Sequence, residues 1–150
     1  FSASSKVGSI ITDRENKYKD ALEFYGKNLG LTFQIADDTL DYNSELKMFG
    51  KEIGKDFFEG KVTLPIILLN QKLSLDEKLN LKEIFEQDIR SKEQFEYVLN
   101  LVKNHNIIND CYKKAEHYIS LASNSLSIFK ECEEKTILKN LTSFSINRKF

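Results

Sequence analysis

The sequence contains few residues that interrupt helices. In 150 residues it has one proline, Pro65, and six glycines, four of which lie between residues 30 and 60. Proline removes a backbone hydrogen-bond donor and glycine carries an entropic cost in a helix, so their scarcity elsewhere favours long helices with few breaks. Tryptophan is absent, but eleven phenylalanines and six tyrosines contribute to a hydrophobic content of 41%, which is enough for a packed interior. We therefore predict an all-α protein.

The sequence also lacks an excess of charge, a cysteine framework and a long apolar run. Lys and Arg number 22 against 23 Asp and Glu, a formal net charge of −1, so no overall field attracts nucleic acid. Cys111 and Cys132 show no metal-binding spacing, and we expect them to be reduced thiols of a cytoplasmic protein. No apolar run reaches the roughly 18 residues of a membrane span. The composition therefore argues against nucleic-acid binding, a disulfide framework and a transmembrane segment.

The helix predicted for residues 17–42 carries a stripe of acids. At about 100° per residue, Gln34, Asp37, Asp38 and Asp41 fall at i, i+3, i+4 and i+7 on one narrow face. Acids are seldom buried without partners, and like charges this close raise one another's pKa unless cations neutralise them. The stripe therefore points to a metal-lined cavity. A solvated polar face is the alternative, and the broad apolar surface of the helix leaves little room for it. That apolar surface is formed by Tyr18, Leu22, Tyr25, Leu29, Phe33, Ala36 and Leu40.

A glycine-rich segment with four lysines follows the acids. The lysines are Lys47, Lys51, Lys55 and Lys61. Carboxylates hold hard cations such as Mg²⁺ through oxygen, and lysines neutralise phosphate. Acids and lysines this close suggest a site at which metal ions bridge the protein to a phosphorylated substrate.

Helix starts and ends are predicted along the whole chain. Ser74 to Glu77 and Ser91 to Gln94 have the pattern of capping boxes, and Thr63 with Pro65 suits a helix start. In the first helix, small residues permit close packing, and Ala3, Val7, Ile10 and Ile11 are expected to face inward. We predict a loop at 43–61 and helices at 1–12, 17–42, from 63 onward, 75–88, 92–103, 107–129 and 133–144.

The segment from residue 29 to residue 69 closely resembles the second aspartate-rich region of trans-type polyprenyl diphosphate synthases. The family pattern LGxxFQxxDDxLD, GKxxGxD and GKxTLP stands here as LGLTFQIADDTLD, GKEIGKD and GKVTLP. The resemblance implies an isoprenoid-synthase helical bundle. Full-length members carry two aspartate-rich motifs on facing helices and a lysine in a KT motif. Because this chain has one DDxxD, residues 1–150 are expected to be the C-terminal part of a single polyprenyl synthetase domain.

By this resemblance the protein is expected to be a prenyltransferase that condenses isopentenyl diphosphate with an allylic diphosphate into a linear polyprenyl diphosphate. The motif GKVTLP is more similar to the corresponding motif of long-chain synthases, such as octaprenyl diphosphate synthase, than to that of short-chain ones. The expected partners are the two diphosphates, the missing N-terminal half and a second copy in a homodimer. Without that half the chain is expected to be inactive. A non-catalytic subunit or remnant lacking the first aspartate motif is the alternative, and a terpene cyclase is a weaker one.

The resemblance also assigns a metal set. It implies that Mg²⁺ is held mainly by Asp37, with Asp38 and Asp41 supporting it directly or through water. Asp56 would assist through metal-bound water.

Substrate contacts follow from the same resemblance. Lys51 would bind the allylic diphosphate and, with Asp37 and Asp38, belongs to the catalytic set. Gln34 would touch the diphosphate or orient an acid. Lys61 would bind phosphate or support the turn into the following helix.

Overall fold

In the part of the chain that the structure describes, all regular secondary structure is helical. The computed structural model describes residues 1–43 and 53–146, and within them there is no strand. This confirms the all-α prediction. No helix in these ranges is long and apolar enough to cross a membrane. The described helices are α1 (Ser2–Ile11), α2 (Asn16–Leu40), α3 (Lys55–Phe58), α4 (Leu64–Lys72), α5 (Leu75–Glu86), α6 (Lys92–Asn104), α7 (Ile107–Ser125), a 3₁₀ turn (Leu126–Ile128) and α8 (Glu133–Ile146).

Both predicted capping boxes are present. The Ser74 hydroxyl accepts a hydrogen bond from the Glu77 N–H, and the Glu77 carboxylate accepts one from the Ser74 N–H at 2.9 Å. Ser91 and Gln94 make the same reciprocal pair, at 3.2 and 2.8 Å. Each pair satisfies two backbone donors that have no partner inside the helix. The boxes therefore fix the starts of α5 and α6.

The chain divides into two compact units. The first contains residues 1–36 and 113–150, and the second contains residues 37–112. Helices α2 and α7 each contribute residues to both units. The expectation of a single domain stays a prediction.

In the first unit, the apolar face predicted for α2 forms the core. Tyr25 and Leu29 pack with Ala122 and Leu126, and all four are buried. The Tyr25 hydroxyl donates a hydrogen bond to the Leu138 carbonyl at 2.8 Å, and burial raises the pKa of Tyr25 to about 12. The core therefore joins α2 to both C-terminal helices.

Close packing of α1 on α2 depends on a glycine. A Cβ added at Gly26 would lie 2.5 Å from both the Phe1 carbonyl oxygen and the Ser5 hydroxyl oxygen. No real side chain tolerates such contacts, so Gly26 of α2, together with the small Ser5 of α1, permits the close packing of the two helices.

The predicted inward face of α1 is wrong for the described residues. Val7, Ile10 and Ile11 are 48%, 52% and 78% exposed, Ala3 is also exposed, and Ser9 is the buried residue of the helix. The reason is the short distance to α2, because only small side chains fit between the two backbones. The apolar side of α1 is turned away from that contact.

The second unit is built on an aromatic cluster formed by Tyr42, Phe57, Phe58, Phe85 and Phe95. Phe57 is fully buried, and its ring centroid lies 5.5 Å from that of Phe85 and 5.1 Å from that of Phe95. Ring pairs at such distances add stabilisation beyond the area they bury. Phe57 and Phe58 belong to the short helix α3, so the cluster anchors the segment that carries Asp56 and Lys61.

Candidate functional site

The first two acids lie in the last turn of α2. Asp37 is exposed, and its side chain makes no hydrogen bond or ion pair with any residue that the structure describes. Asp38 is half-buried and has polar or electrostatic partners. Gln34 is exposed on the part of α2 that belongs to the first unit. The carboxylate of Asp37 is therefore accessible to a ligand.

Asp41 lies just beyond the end of α2 and uses both carboxylate oxygens. Oδ1 accepts hydrogen bonds from the backbone N–H groups of Gly54 and Lys55, both at 3.1 Å, and Oδ2 accepts one from Asp56 at 2.8 Å. Burial raises the pKa of Asp41, and these three backbone hydrogen bonds oppose that rise because they favour the charged form. Asp41 thus joins the end of α2 to the start of α3.

Asp56 and Lys61 form a small charged group after this junction. Lys61 Nζ lies 3.3 Å from Asp56 Oδ1 and 2.5 Å from Glu59 Oε2. Hydrogen bonds with Glu59 and then Asp56 raise the pKa of Lys61, so its charge is retained. The Lys61 side chain is 55% exposed. A phosphate could therefore approach it, in competition with the two acids.

Two close contacts fix the turn formed by residues 54–61. Gly54 has a φ of +90°, and a Cβ there would lie 2.6 Å from the Phe95 ring. Gly60 has a φ of +74°, and a Cβ there would lie 2.5 Å from the Arg90 guanidinium. Both positions therefore favour glycine for their backbone conformation, and at Gly54 the Phe95 ring also leaves little space for a side chain.

Arg90 was missed by the sequence analysis. Its guanidinium donates hydrogen bonds to the carbonyls of Phe85 at 2.7 Å and Phe58 at 3.4 Å, while its buried Nε has no partner among the described residues. No motif surrounds Arg90, and the only sequence signal is a cation in the short connection between α5 and α6. Its role in closing the turn was visible only in the fold.

Tyr42 is a second residue that the sequence analysis missed. It is buried, and burial raises the pKa of Tyr42, with the nearby carboxylates of Asp41, Asp56 and Asp38 adding to the rise. Thr63 is close enough to influence this pKa, but neither hydroxyl has a partner of good hydrogen-bond geometry in the described part of the chain. Tyr42 shows that these three acids share one neighbourhood, and its place directly after DDTLD was the available signal.

Two of the four lysines can be placed. Lys47 and Lys51 lie outside the described residues. Lys55 is exposed and lies 3.9 Å from Glu59. The role of Lys51 in substrate binding therefore stays a prediction.

The described acids do not form a ready-made metal cluster. Within residues 1–43 and 53–146, no group of three or more His, Cys, Asp or Glu side chains is arranged to hold a metal ion. The donor chemistry nevertheless suits a hard cation, because Asp37, Asp38 and Asp56 offer carboxylate oxygens. A cavity of about 370 Å³ occurs in the first unit, but none of the predicted site residues lines it.

Comparison with solved structures gives the class of protein to which this fold and this acid-bearing helix belong. A polyprenyl synthase from Caulobacter crescentus, solved with calcium and isoprenyl diphosphate, is similar with a TM-score of 0.88. It is 29% identical, and the match covers 100% of this chain and 46% of that chain. The predicted isoprenoid-synthase fold is confirmed.

The model of the polyprenyl synthetase family matches residues 1–102, and the chain belongs to that family. It is 28% identical over 150 residues to octaprenyl diphosphate synthase of Haemophilus influenzae, covering 100% of this chain and 45% of that protein. It is 32% identical over 143 residues to the all-trans-nonaprenyl-diphosphate synthase (geranyl-diphosphate specific) of Rhodobacter capsulatus. This match covers 94% of this chain and 43% of that protein. The chain spans about half the length of the curated relatives it matches.

Proposed function

We propose that the protein carrying this chain is a prenyltransferase that condenses isopentenyl diphosphate with an allylic diphosphate into a linear polyprenyl diphosphate. The family match over residues 1–102 carries this proposal, because it includes every predicted site residue. A long-chain product is favoured by the octaprenyl and nonaprenyl synthases among the relatives and by the GKVTLP motif. The relatives described above give no support to a non-catalytic subunit or a terpene cyclase.

Mg²⁺ is the proposed cofactor; Asp37 and Asp38 would hold it directly or through water, and Asp56 would assist through metal-bound water. The resemblance adds Asp41 to this set, but both carboxylate oxygens of Asp41 already accept backbone hydrogen bonds. Carboxylate oxygens are the ligands such an ion prefers. The calcium ion named with the Caulobacter crescentus enzyme supports the use of a divalent cation. When bound, Mg²⁺ supplies charge neutralisation for the departing diphosphate.

The residues of this chain would bind and orient the substrate. The exposed carboxylate of Asp37 is accessible from solvent, and Lys61 carries a retained positive charge close to Asp56. Lys51 and Lys61 would offset the negative charge of the allylic diphosphate through charge-assisted hydrogen bonds. Gln34 would contact the diphosphate or orient an acid. To bind phosphate, Lys61 would exchange at least one of its two acid partners.

We also propose that activity requires more than this chain. The sequence has one DDxxD motif, and the relatives are about twice as long. A second aspartate-rich motif in an N-terminal half would complete the metal set, and the enzyme would work as a cytoplasmic homodimer. Residues 1–150 alone would then be inactive.

The experiment is a product assay on a complete enzyme that contains this chain. Radiolabelled isopentenyl diphosphate is incubated with farnesyl diphosphate, with and without Mg²⁺, and the products are separated by chain length. The proposal expects Mg²⁺-dependent elongation in the wild type and in Asp88→Ala, a surface control. Elongation that is independent of Mg²⁺, or none at all, would contradict it.

A further inference from the structure

Asp41 differs from Asp37 because its oxygens already have partners. Three consecutive backbone N–H groups, those of Gly54, Lys55 and Asp56, donate to its carboxylate at 3.1, 3.1 and 2.8 Å. The backbone carbonyl of Asp41 also accepts a hydrogen bond from Gly54 at 3.0 Å. Hydrogen bonds to an ionised carboxylate are about twice as strong as neutral ones. Asp41 therefore ties together two parts of the chain that are 13 to 15 residues apart.

The conformation of Gly54 explains why this carboxylate comes from elsewhere in the chain. Gly54 precedes α3 at the position where Ser, Thr, Asp or Asn usually accepts a hydrogen bond from the first helical N–H groups. Here a side chain is strained at the φ of +90°, and its Cβ would lie 2.6 Å from the Phe95 ring. Asp41 supplies the missing acceptor.

The residues held by Asp41 carry the next charged pair. The Asp56 carbonyl accepts a hydrogen bond from the Lys61 N–H at 2.8 Å, and the Asp56 carboxylate lies 3.3 Å from Lys61 Nζ. Because Asp41 binds the Asp56 N–H, it fixes the backbone from which both charged side chains extend. Displacing this backbone would move Asp56 and Lys61 together.

We propose that Asp41 is a positioning residue, which fixes the turn of residues 54–61 so that Asp56 and Lys61 are placed for a diphosphate, and that it is not a ligand of the metal ion. The inference rests on the proposed function for the roles of Asp56 and Lys61. A carboxylate has about four lone-pair positions, and three of those on Asp41 are occupied. Asp37, in contrast, has no such partner among the described residues.

Backbone hydrogen–deuterium exchange in the metal-free complete enzyme tests the anchor directly. Asp41→Ala is expected to speed exchange of the amides of residues 54–56 at least about tenfold, because their acceptor is lost. Asp37→Ala and Asp88→Ala should leave these amides unchanged. Asp88 is a matched control, since it is exposed and its side chain has no partner in the described part of the chain.

Asp41→Asn provides a milder variant that remains informative if Asp41→Ala fails to fold. The amide oxygen of the asparagine can still accept a backbone hydrogen bond, whereas its NH₂ group would face a backbone N–H donor. The exchange rate of these amides is therefore expected to lie between those of the wild type and Asp41→Ala. Unchanged exchange in the Asp41 variants would overturn the proposal. Hydrogen–deuterium exchange does not require prenyltransfer. A failure of the proposed function can therefore be distinguished from a failure of the proposal for Asp41.

Kinetics then separate positioning from metal binding. In Asp41→Asn, the Michaelis constant for the allylic diphosphate should rise about tenfold, while the Mg²⁺ concentration for half-maximal rate changes less than about twofold. Asp37→Asn should raise that Mg²⁺ concentration more than about tenfold. An equal rise of the Mg²⁺ requirement in Asp41→Asn and Asp37→Asn would make Asp41 a metal ligand and overturn the proposal.

Discussion

The three carboxylates of DDTLD have different environments. Asp37 is exposed without a described partner, Asp38 is half-buried, and Asp41 accepts three backbone hydrogen bonds. Removing Asp37 therefore removes a group that is accessible to a ligand, whereas removing Asp41 leaves three amides without their acceptor. The same substitution is expected to have different consequences at the two positions.

Asp37→Ala should lower turnover by at least about 100-fold at saturating Mg²⁺, and by more than Asp41→Ala does. Losing a carboxylate proposed to hold the metal would remove several kcal/mol of charge stabilisation in the transition state, and each 1.4 kcal/mol corresponds to about tenfold in rate. Steady-state rates of the two variants in a complete enzyme provide the test, with Asp88→Ala as the control. Near-normal turnover of Asp37→Ala would remove it from the catalytic set.

Lys51→Ala should weaken binding of the allylic diphosphate more than Lys55→Ala. Lys51 occupies the first lysine of GKEIGKD, where the resemblance predicts a charge-assisted phosphate contact. The side chain of Lys55 is exposed and lies 3.9 Å from Glu59, an i,i+4 pair of small energetic value. The Michaelis constants of both variants decide the question. Equal increases would indicate that the general charge of the loop is responsible.

At the scale of structural elements, several neighbours constrain the turn of residues 54–61. Asp41 accepts a hydrogen bond from Gly54 at the start of the turn, and Arg90 donates one to the Phe58 carbonyl. Gly54 and Gly60, which have positive φ, leave room for the side chains that pack against the turn. Because these contacts converge on one short element, a substitution there should affect the stability of the fold as well as activity.

Gly54→Ala should lower the free energy of unfolding by about 1–3 kcal/mol, because a non-glycine residue is strained at this φ and its Cβ would overlap the Phe95 ring. Gly8→Ala is a matched control in α1, where nothing lies within 4 Å of an added Cβ. There alanine should raise stability by about 0.5–1 kcal/mol. Denaturant unfolding of both variants measures the difference, and equal effects would contradict the assigned strain.

The starts of α5 and α6 and the acid-bearing helix could be predicted from the sequence because they depend on local chemistry, whereas α3 lies inside the segment 43–61 that was predicted to be a loop. Ser74 and Ser91 each form a capping box with a residue three positions later in the sequence. The helical spacing of apolar residues in α2 places Tyr25 and Leu29 in the core. The orientation of α1 could not be predicted, because it depends on the close approach to Gly26. The contacts of Asp41 and Arg90 also join residues distant in sequence, and no local pattern encodes them.

For the chain as a whole, apolar side chains remain exposed on the terminal helices. Ile137, Leu141 and Phe144 follow an i, i+4, i+7 spacing on α8, and each is more than 40% exposed. Val7 and Ile11 are exposed on α1. Contiguous apolar surface of this kind marks association sites or aggregation liabilities.

Residues 1–150, purified alone, should therefore self-associate. Leu141→Gln should reduce the mass measured by light scattering, because it interrupts the apolar stripe of α8. Leu75→Gln is the matched control, since Leu75 is exposed at the start of α5, away from that stripe in sequence. A monodisperse monomer of 17.4 kDa would contradict the prediction.

The central claim is that an exposed aspartate of this chain takes part in metal-dependent binding of an allylic diphosphate. Calorimetric titration of a complete enzyme with farnesyl diphosphate, in Mg²⁺ and in chelator, measures that dependence without catalysis. We predict that Mg²⁺ tightens binding at least about tenfold in the wild type and in Asp88→Ala, and much less in Asp37→Ala. Equal affinity with and without Mg²⁺ in the wild type, or full Mg²⁺ dependence in Asp37→Ala, would contradict the account.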